Sequence, residues 1–196
     1  MLKPLFDISP LRDELSAGTR ILTPNRRLAR QILSAWGQHC AEQGQRVWRQ
    51  PSVQALDDWL DQCWQELQDR AYPDCAGCSI VATQAERLLW EKLIDADEDK
   101  PPLLGGSSFA RLAQTALQMV EHWRVSLSEL ASSGHEPCVH WLRWREMFYQ
   151  ALAEKKLLTT GQARIQVLEA FQQGFLGRHP RLLLVAFSNR PAPLLQ

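Results

Sequence analysis

Two short apolar runs at opposite ends of the chain constrain its fold more than any other feature. Arg20–Leu22 lies near the start, and Arg181–Phe187 lies near the end. The second run is apolar almost without a break, which is typical of a strand buried on both faces of a parallel sheet. A long segment between two such runs can serve as the crossover that parallel strands require. The sequence therefore predicts that residues 20–23 and 182–187 are neighbouring parallel strands.

The segment between the two runs is mostly helical by pattern. A second strand is predicted at Gln45–Gln50, stopped by Pro51, after which Ser52 is expected to cap an amphipathic helix. Capping boxes are predicted at Thr83–Glu86 and Thr159–Gln162. Helical spacing predicts one buried stripe on the helix that begins near residue 109: Leu112, Ala113, Ala116, Val120 and Trp123.

These elements predict an α/β fold with a small parallel sheet and a large, mostly α-helical insertion. Residues 1–50 and 175–196 are expected to form the α/β core, and residues 51–174 the helical insertion. The chain stops soon after the second apolar run, at Gln196. This ending is abrupt for an α/β fold, and we expect the chain to be a piece of a longer protein.

A basic turn follows the first predicted strand. Thr23 is expected to be the N-cap of the next helix, with Pro24 at its first position. Arg26, Arg27 and Arg30 then occupy the first two turns. Cations are unfavourable at this end of a helix, whereas an anion is bound well there by free N–H groups and guanidinium groups. The turn therefore indicates a phosphate site, unless the arginines are simply solvated or paired with acidic neighbours.

Composition narrows the classes of function. The 22 basic and 22 acidic residues give a net charge of zero, so any contact with nucleic acid must come from a local patch. No apolar run approaches the roughly 18 residues of a membrane span. We therefore expect a cytoplasmic protein with no membrane partner. Five cysteines at irregular spacing argue against a secreted disulfide framework.

Motifs for catalysis and cofactors are absent from the sequence. No phosphate loop of the Gly-x-x-x-x-Gly-Lys-Ser/Thr type occurs, and no acidic residue follows the late strand to hold magnesium. No catalytic residue, cofactor or metal ligand is predicted. Cys75 and Cys78 could supply half of a zinc site with His135, Cys138 or His140, but the spacing is not that of a standard zinc motif, and both are expected to be unliganded loop cysteines.

The stretch Ile21–Arg30, Ile-Leu-Thr-Pro-Asn-Arg-Arg-Leu-Ala-Arg, resembles a segment near the N-terminus of bacterial probable DNA repair proteins. These proteins are related to the AddB/RecB helicase-nuclease group and often end in a PD-(D/E)XK nuclease domain. Further similar pieces are Val47-Trp48, Leu56–Leu60, Glu86–Trp90, Leu184–Phe187 and Pro193–Leu195.

The resemblance implies a P-loop-helicase-like fold that does not hydrolyse ATP, since both the phosphate loop and the late acidic residue are missing. In UvrD/Rep-type helicases the equivalent turn touches single-stranded DNA. The resemblance thus implies that DNA phosphates pass next to four residues of this turn: Thr23, Asn25, Arg26 and Arg27. Arg30 is added because its positive charge lies in the same two helical turns. A downstream nuclease domain or a partner subunit is an implied partner in DNA repair and recombination.

Two other classes of function stay open at this stage. The chain could be a helical protein-interaction module that does not bind nucleic acid, or a zinc-stabilised regulatory domain. Salt-sensitive binding to single-stranded DNA would favour a DNA-guiding domain over an interaction module, because neutralised phosphates release counterions. Bound zinc in the purified protein would favour the zinc-stabilised regulatory domain.

Overall fold

The computed structural model describes residues 6–100, 106–132, 134–177 and 181–187. These residues form two compact units. The first contains the chain up to Asp69 together with the segment from Ala170 to 187, and the second contains Arg70–Glu169. The predicted core boundary at 50/51 thus differs from the unit boundary, and the end of that core, residues 188–196, lies outside the described residues.

The first unit is built on a three-stranded parallel sheet in the order β2–β1–β5. Its strands are β1 (Arg20–Thr23), β2 (Val53–Ala55) and β5 (Leu182–Leu184). Ile21 of the central strand lies opposite Val53 on one side and Leu183 on the other. The predicted pairing of the first and last apolar runs is therefore confirmed, with a last strand shorter than the predicted 182–187.

Helices cover this sheet. The helices of the unit are α1 (Arg12–Ala17), α2 (Arg26–Glu42) and α3 (Leu56–Asp69), and a short 3-10 turn at Ser9–Leu11 precedes α1. A buried cluster joins Leu15, Ile21, Ile32 and Val53, so α1 and α2 share one apolar core with β1 and β2. Gly18 ends α1 in the left-handed conformation, which glycine adopts without steric cost.

The predicted second strand was wrong. Gln45–Gln50 is irregular and Val47 is 88% exposed, whereas the strand lies at Val53–Ala55, where α3 had been expected to begin. Both Val53 and Ala55 are buried and Gln54 is not, which is the alternation of a half-covered strand. Because Val53–Ala55 pairs with β1, these three residues are extended, and α3 begins only at Leu56.

The second unit is mainly helical. Its helices are α4 (Thr83–Asp95), α5 (Gly106–Trp123), α6 (Leu127–Ser132), α7 (Glu136–Glu154) and α8 (Thr160–Gln172), the last of which ends in the first unit. Two short parallel strands, β3 (Ser79–Ile80) and β4 (Leu157–Leu158), pair with each other. The core contains a stack of Trp90 on Phe148 with ring centroids 4.3 Å apart.

One of the two predicted capping boxes is confirmed. The Thr159 hydroxyl accepts from the Gln162 N–H at 3.0 Å, and the Gln162 side chain accepts from the Thr159 N–H at 2.9 Å. Thr83–Glu86 is not a capping box, because α4 follows Ala82 with no side-chain cap. Glu86 is buried among the helices of the unit instead of reaching the helix start.

The predicted buried stripe of α5 was also partly wrong. The residues that are buried are Ala110, Ala113 and Leu117, whereas Leu112 and Trp123 are 56% and 47% exposed. Both stripes have helical spacing, so spacing alone could not choose between them. The helix therefore presents two alanines and Leu117 to the core of the unit and leaves Leu112 and Trp123 largely on the surface.

Candidate nucleic-acid interface

The basic turn lies at the carboxyl end of β1, the central strand of the parallel sheet. The carboxyl ends of parallel strands are where ligands bind in open α/β sheets. Both β1 and β2 lead directly into a helix at this edge, so the starts of α2 and α3 are neighbours. The turn is thus placed as a binding turn would be.

Thr23 is not the N-cap that the sequence predicted. It is fully buried, and its hydroxyl lies 2.9 Å from the Asn25 carbonyl and 3.3 Å from the Gln54 carbonyl. The hydroxyl donates to one of these two oxygens at a time, so it lies between the turn and β2 and points away from solvent. Thr23 in this conformation is therefore out of reach of a phosphate.

Asn25 is the N-cap of α2. Its backbone is extended, and its side-chain oxygen accepts from the Leu28 N–H at 2.9 Å. This is the usual way to satisfy one of the free N–H groups at a helix start. Asn25 is exposed, but its oxygen is already committed to the helix.

Arg26 is paired with an acidic residue of the neighbouring helix. Its Nε lies 2.8 Å from Oδ1 and 2.9 Å from Oδ2 of Asp58, and its Nη2 also contacts Asp58. The Arg26 guanidinium lowers the pKa of Asp58 from its usual value, chiefly through these hydrogen bonds. Asp57 and Asp61 add further negative charge near Arg26. The alternative that the arginines are paired with acidic neighbours therefore holds for Arg26.

Arg27 and Arg30 differ from Arg26. Both are exposed, and neither has a hydrogen bond or an ion pair with any residue that the structure describes. Arg30 lies close enough to Asp58 to lower its pKa slightly, after the effect of Arg26. The first turn of α2 contains no acidic residue. Two guanidinium groups are thus available to an anion beside the helix start.

Sequence patterns missed a partly buried polar cluster in the second unit. One carboxylate oxygen of Glu121 accepts from the Thr159 hydroxyl at 2.6 Å and from the Tyr149 hydroxyl at 2.8 Å. The Arg145 guanidinium lies 4.5 Å from the centre of the Tyr149 ring. Burial raises the pKa of Glu121, and these hydrogen bonds offset part of the rise. The only signal in the sequence was the capping box that fixes Thr159.

The remaining sequence candidates do not form a site. The five cysteines all lie in the described ranges and form no disulfide there, with Cys75 buried and Cys78 half-buried. Across the described ranges, no group of three or more His, Cys, Asp or Glu side chains is placed to hold a metal ion. Nor does any described helix have the length and apolar character needed to cross a bilayer.

Comparison with known proteins found no matching family model, no matching curated protein and no matching solved structure.

Proposed function

We propose that the chain is a non-catalytic, helicase-like domain of a DNA repair or recombination protein of the AddB/RecB-like type, which guides single-stranded DNA. The observation that carries the proposal is the pair of exposed, unpaired guanidinium groups of Arg27 and Arg30 at the carboxyl end of the parallel sheet. Backbone phosphates are the anions that such a surface contacts in a nucleic acid.

The proposed domain does not hydrolyse ATP, because the sequence has neither a phosphate loop nor an acidic residue after the late strand. In this proposal the domain acts in the cytoplasm, alongside a downstream nuclease domain or a partner subunit. Arg26 can contact a phosphate only after its hydrogen bonds to Asp58 break.

The test compares two double variants of equal charge change in the full chain. Arg27→Ala/Arg30→Ala removes the proposed contacts, whereas Arg12→Ala/Arg111→Ala removes two exposed arginines from α1 and α5. Binding to a labelled oligodeoxynucleotide is measured by fluorescence anisotropy as a function of salt. Because each single-strand phosphate contact contributes about 0.7 to the slope of log K against log salt, the first variant should lower the slope by about 1.4.

The proposal fails if both double variants lower the affinity and the slope equally. In that case net charge, rather than a surface at the sheet edge, would govern binding. It also fails if the wild-type chain binds single-stranded DNA with no dependence on salt.

A second candidate function is a helical protein-interaction module that does not bind nucleic acid. The exposed apolar side chains of Leu112, Met119 and Trp123 on α5 favour it, since their spacing places them on one face of the helix. Salt-insensitive behaviour toward DNA, combined with a partner whose binding is lost in Leu112→Ser/Met119→Ser, would support this alternative.

A further inference from the structure

A pocket of about 450 Å³ lies in the first unit, at the opposite end of β1 from the basic turn. Its walls are the end of α1, the second half of α2 and the irregular segment 45–52. Its volume falls within the range of about 300–1,000 Å³ that is typical of small-molecule sites.

The shape of the pocket depends on how the chain returns along α2. After the helix, Gly44 adopts a left-handed conformation and the Gln45 N–H donates to the Cys40 carbonyl at 3.1 Å. Trp48 then lies beside Gly37, where an added Cβ would be 3.3 Å from the indole ring. Gly37 therefore allows the Trp48 ring to lie directly against the helix backbone.

Two indole groups line this pocket. Trp36 belongs to α2 and is partly packed into the core, whereas Trp48 is 40% exposed and belongs to the returning segment. The buried Trp36 Nε1–H finds no acceptor among the described residues. Indole faces stack nucleobases without strong sequence preference, because every base presents a π face.

The polar groups of the pocket favour a nucleotide over an organic cation. Among the described residues that line it there is no Asp or Glu, whereas Arg49 and His39 are present. An aromatic cage for a cation would be disfavoured beside a guanidinium group, which instead suits a phosphate. Three amide side chains complete the lining, and amides pair with the edges of bases: Gln43, Gln45 and Gln50.

We infer that this pocket binds one nucleotide, with its base against the Trp48 and Trp36 indoles and its phosphate at Arg49. That the nucleotide belongs to a DNA strand rests on the proposed function. A strand that touches both the pocket and Arg27 runs along α2, whose 17 residues span about 25 Å. The pocket and the basic turn are separate surfaces, so each can fail without the other.

The first experiment follows the indole N–H signals of the ¹⁵N-labelled full chain by NMR. The ligands are 2′-deoxyadenosine 5′-monophosphate, an oligodeoxyadenylate and, as a control without a base, deoxyribose 5-phosphate. We expect the two base-containing ligands to shift the signals of Trp36 and Trp48, and the control to shift neither. Equal shifts from deoxyribose 5-phosphate, or no shift from the nucleotide, would overturn the inference.

Three variants test the same binding, and each is measured with the nucleotide and the oligonucleotide. Trp48→Ala should weaken binding between about fivefold and about 150-fold, the range for loss of one stacked base. Trp123→Ala removes a similarly exposed indole from α5 and should leave binding unchanged. Gly37→Ala keeps every polar group and improves helix propensity, and its Cβ would displace the Trp48 ring only slightly, so it should weaken binding less than Trp48→Ala does in a folded protein.

The outcomes separate this inference from the proposed function. If Trp48→Ala weakens nucleotide binding while Arg27→Ala/Arg30→Ala leaves oligonucleotide binding unchanged, the nucleotide pocket is supported and DNA contact at the basic turn is contradicted. If the arginine variant weakens oligonucleotide binding while Trp48→Ala and Trp123→Ala act alike, only the pocket is overturned. Tighter binding of the oligonucleotide than of the mononucleotide indicates that the pocket binds a nucleotide of a DNA strand, and equal binding indicates that it binds a free nucleotide.

Discussion

Thr23 and Asn25 show how one residue can take the role that a pattern assigns to its neighbour. Threonine before proline is a good helix start, because proline suits the first helical position. The buried end of β1 holds the Thr23 hydroxyl against the carbonyls of Asn25 and Gln54, so it cannot turn toward the helix. Asn25 remains extended with its oxygen free to cap α2.

The cap predicts a measurable loss of stability in Asn25→Ala. Removing the side-chain oxygen leaves the Leu28 N–H without its acceptor. The expected cost is about 1 kcal/mol of unfolding free energy, measured by urea denaturation. Asn25→Ser keeps an oxygen in the same place and should retain most of the stability, so equal losses in the two variants would contradict the capping role.

The three arginines could be located from the sequence, but the acidic partner of Arg26 could not. Their place at a helix start follows from local signals within residues 20–30. The partner of Arg26 is 32 residues away, and the contact exists because β1 and β2 are adjacent and each leads into a helix at the same edge. The sequence pattern placed the second strand at 45–50 instead of 53–55, so this contact could not be predicted.

At the scale of elements, burial decides which of two similar apolar patterns forms a strand or a buried helix face. The runs at 20–23 and 182–184 were correctly paired because both are short and apolar. The expected burial of the last strand on both faces is wrong, since Leu182 is 40% exposed and the next two residues are half-buried. Gln45–Gln50 has a strand-like composition but no neighbour in the sheet. The apolar stripes of α5 overlap, and only the stripe with the small residues Ala110 and Ala113 enters the core.

The Glu121 cluster links α5, α7 and the start of α8, and it predicts a dependence of stability on pH. Burial raises the pKa of Glu121 above its usual value, despite hydrogen bonds from Thr159 and Tyr149. Below the unfolded-state pKa of about 4.3, the side chain is protonated in both states and its contribution is fully present. As pH rises through the higher folded-state pKa, this contribution is lost.

Glu121→Gln should therefore be more stable than the wild type near neutral pH and should lose this advantage on acidification. The amide stays neutral and can still accept from Thr159 and Tyr149. Each unit by which the folded-state pKa is raised corresponds to about 1.4 kcal/mol. Urea midpoints between about pH 4 and about pH 8 measure the difference, with the exposed Glu146→Gln on α7 as the control. A difference that stays constant with pH would contradict the ionisation argument.

At the scale of the whole chain, the α/β class and the small parallel sheet could be predicted, but a P-loop-helicase-like type remains a prediction. A net charge of zero gives the chain no long-range attraction for DNA. Local charges are also balanced near the basic turn, where Asp57, Asp58 and Asp61 influence Arg26. The affinity for single-stranded DNA must then come from few phosphate contacts, so the affinity should depend only moderately on salt.

This balance predicts the size of the wild-type salt slope. With about 0.7 for each single-strand phosphate, Arg27 and Arg30 together give a slope of about 1.4, and a strand that also reaches Arg49 in the pocket gives about 2.1. Asp58→Asn removes the partner of Arg26 and should raise the affinity, and should raise the wild-type slope by about 0.7. Asp69→Asn makes the same charge change at the far end of α3 and should leave the slope unchanged. Anisotropy titrations between about 50 and about 200 mM salt distinguish these values. A wild-type slope near 5 would require about seven phosphate contacts, which these arginines cannot supply, and would assign DNA binding to another surface.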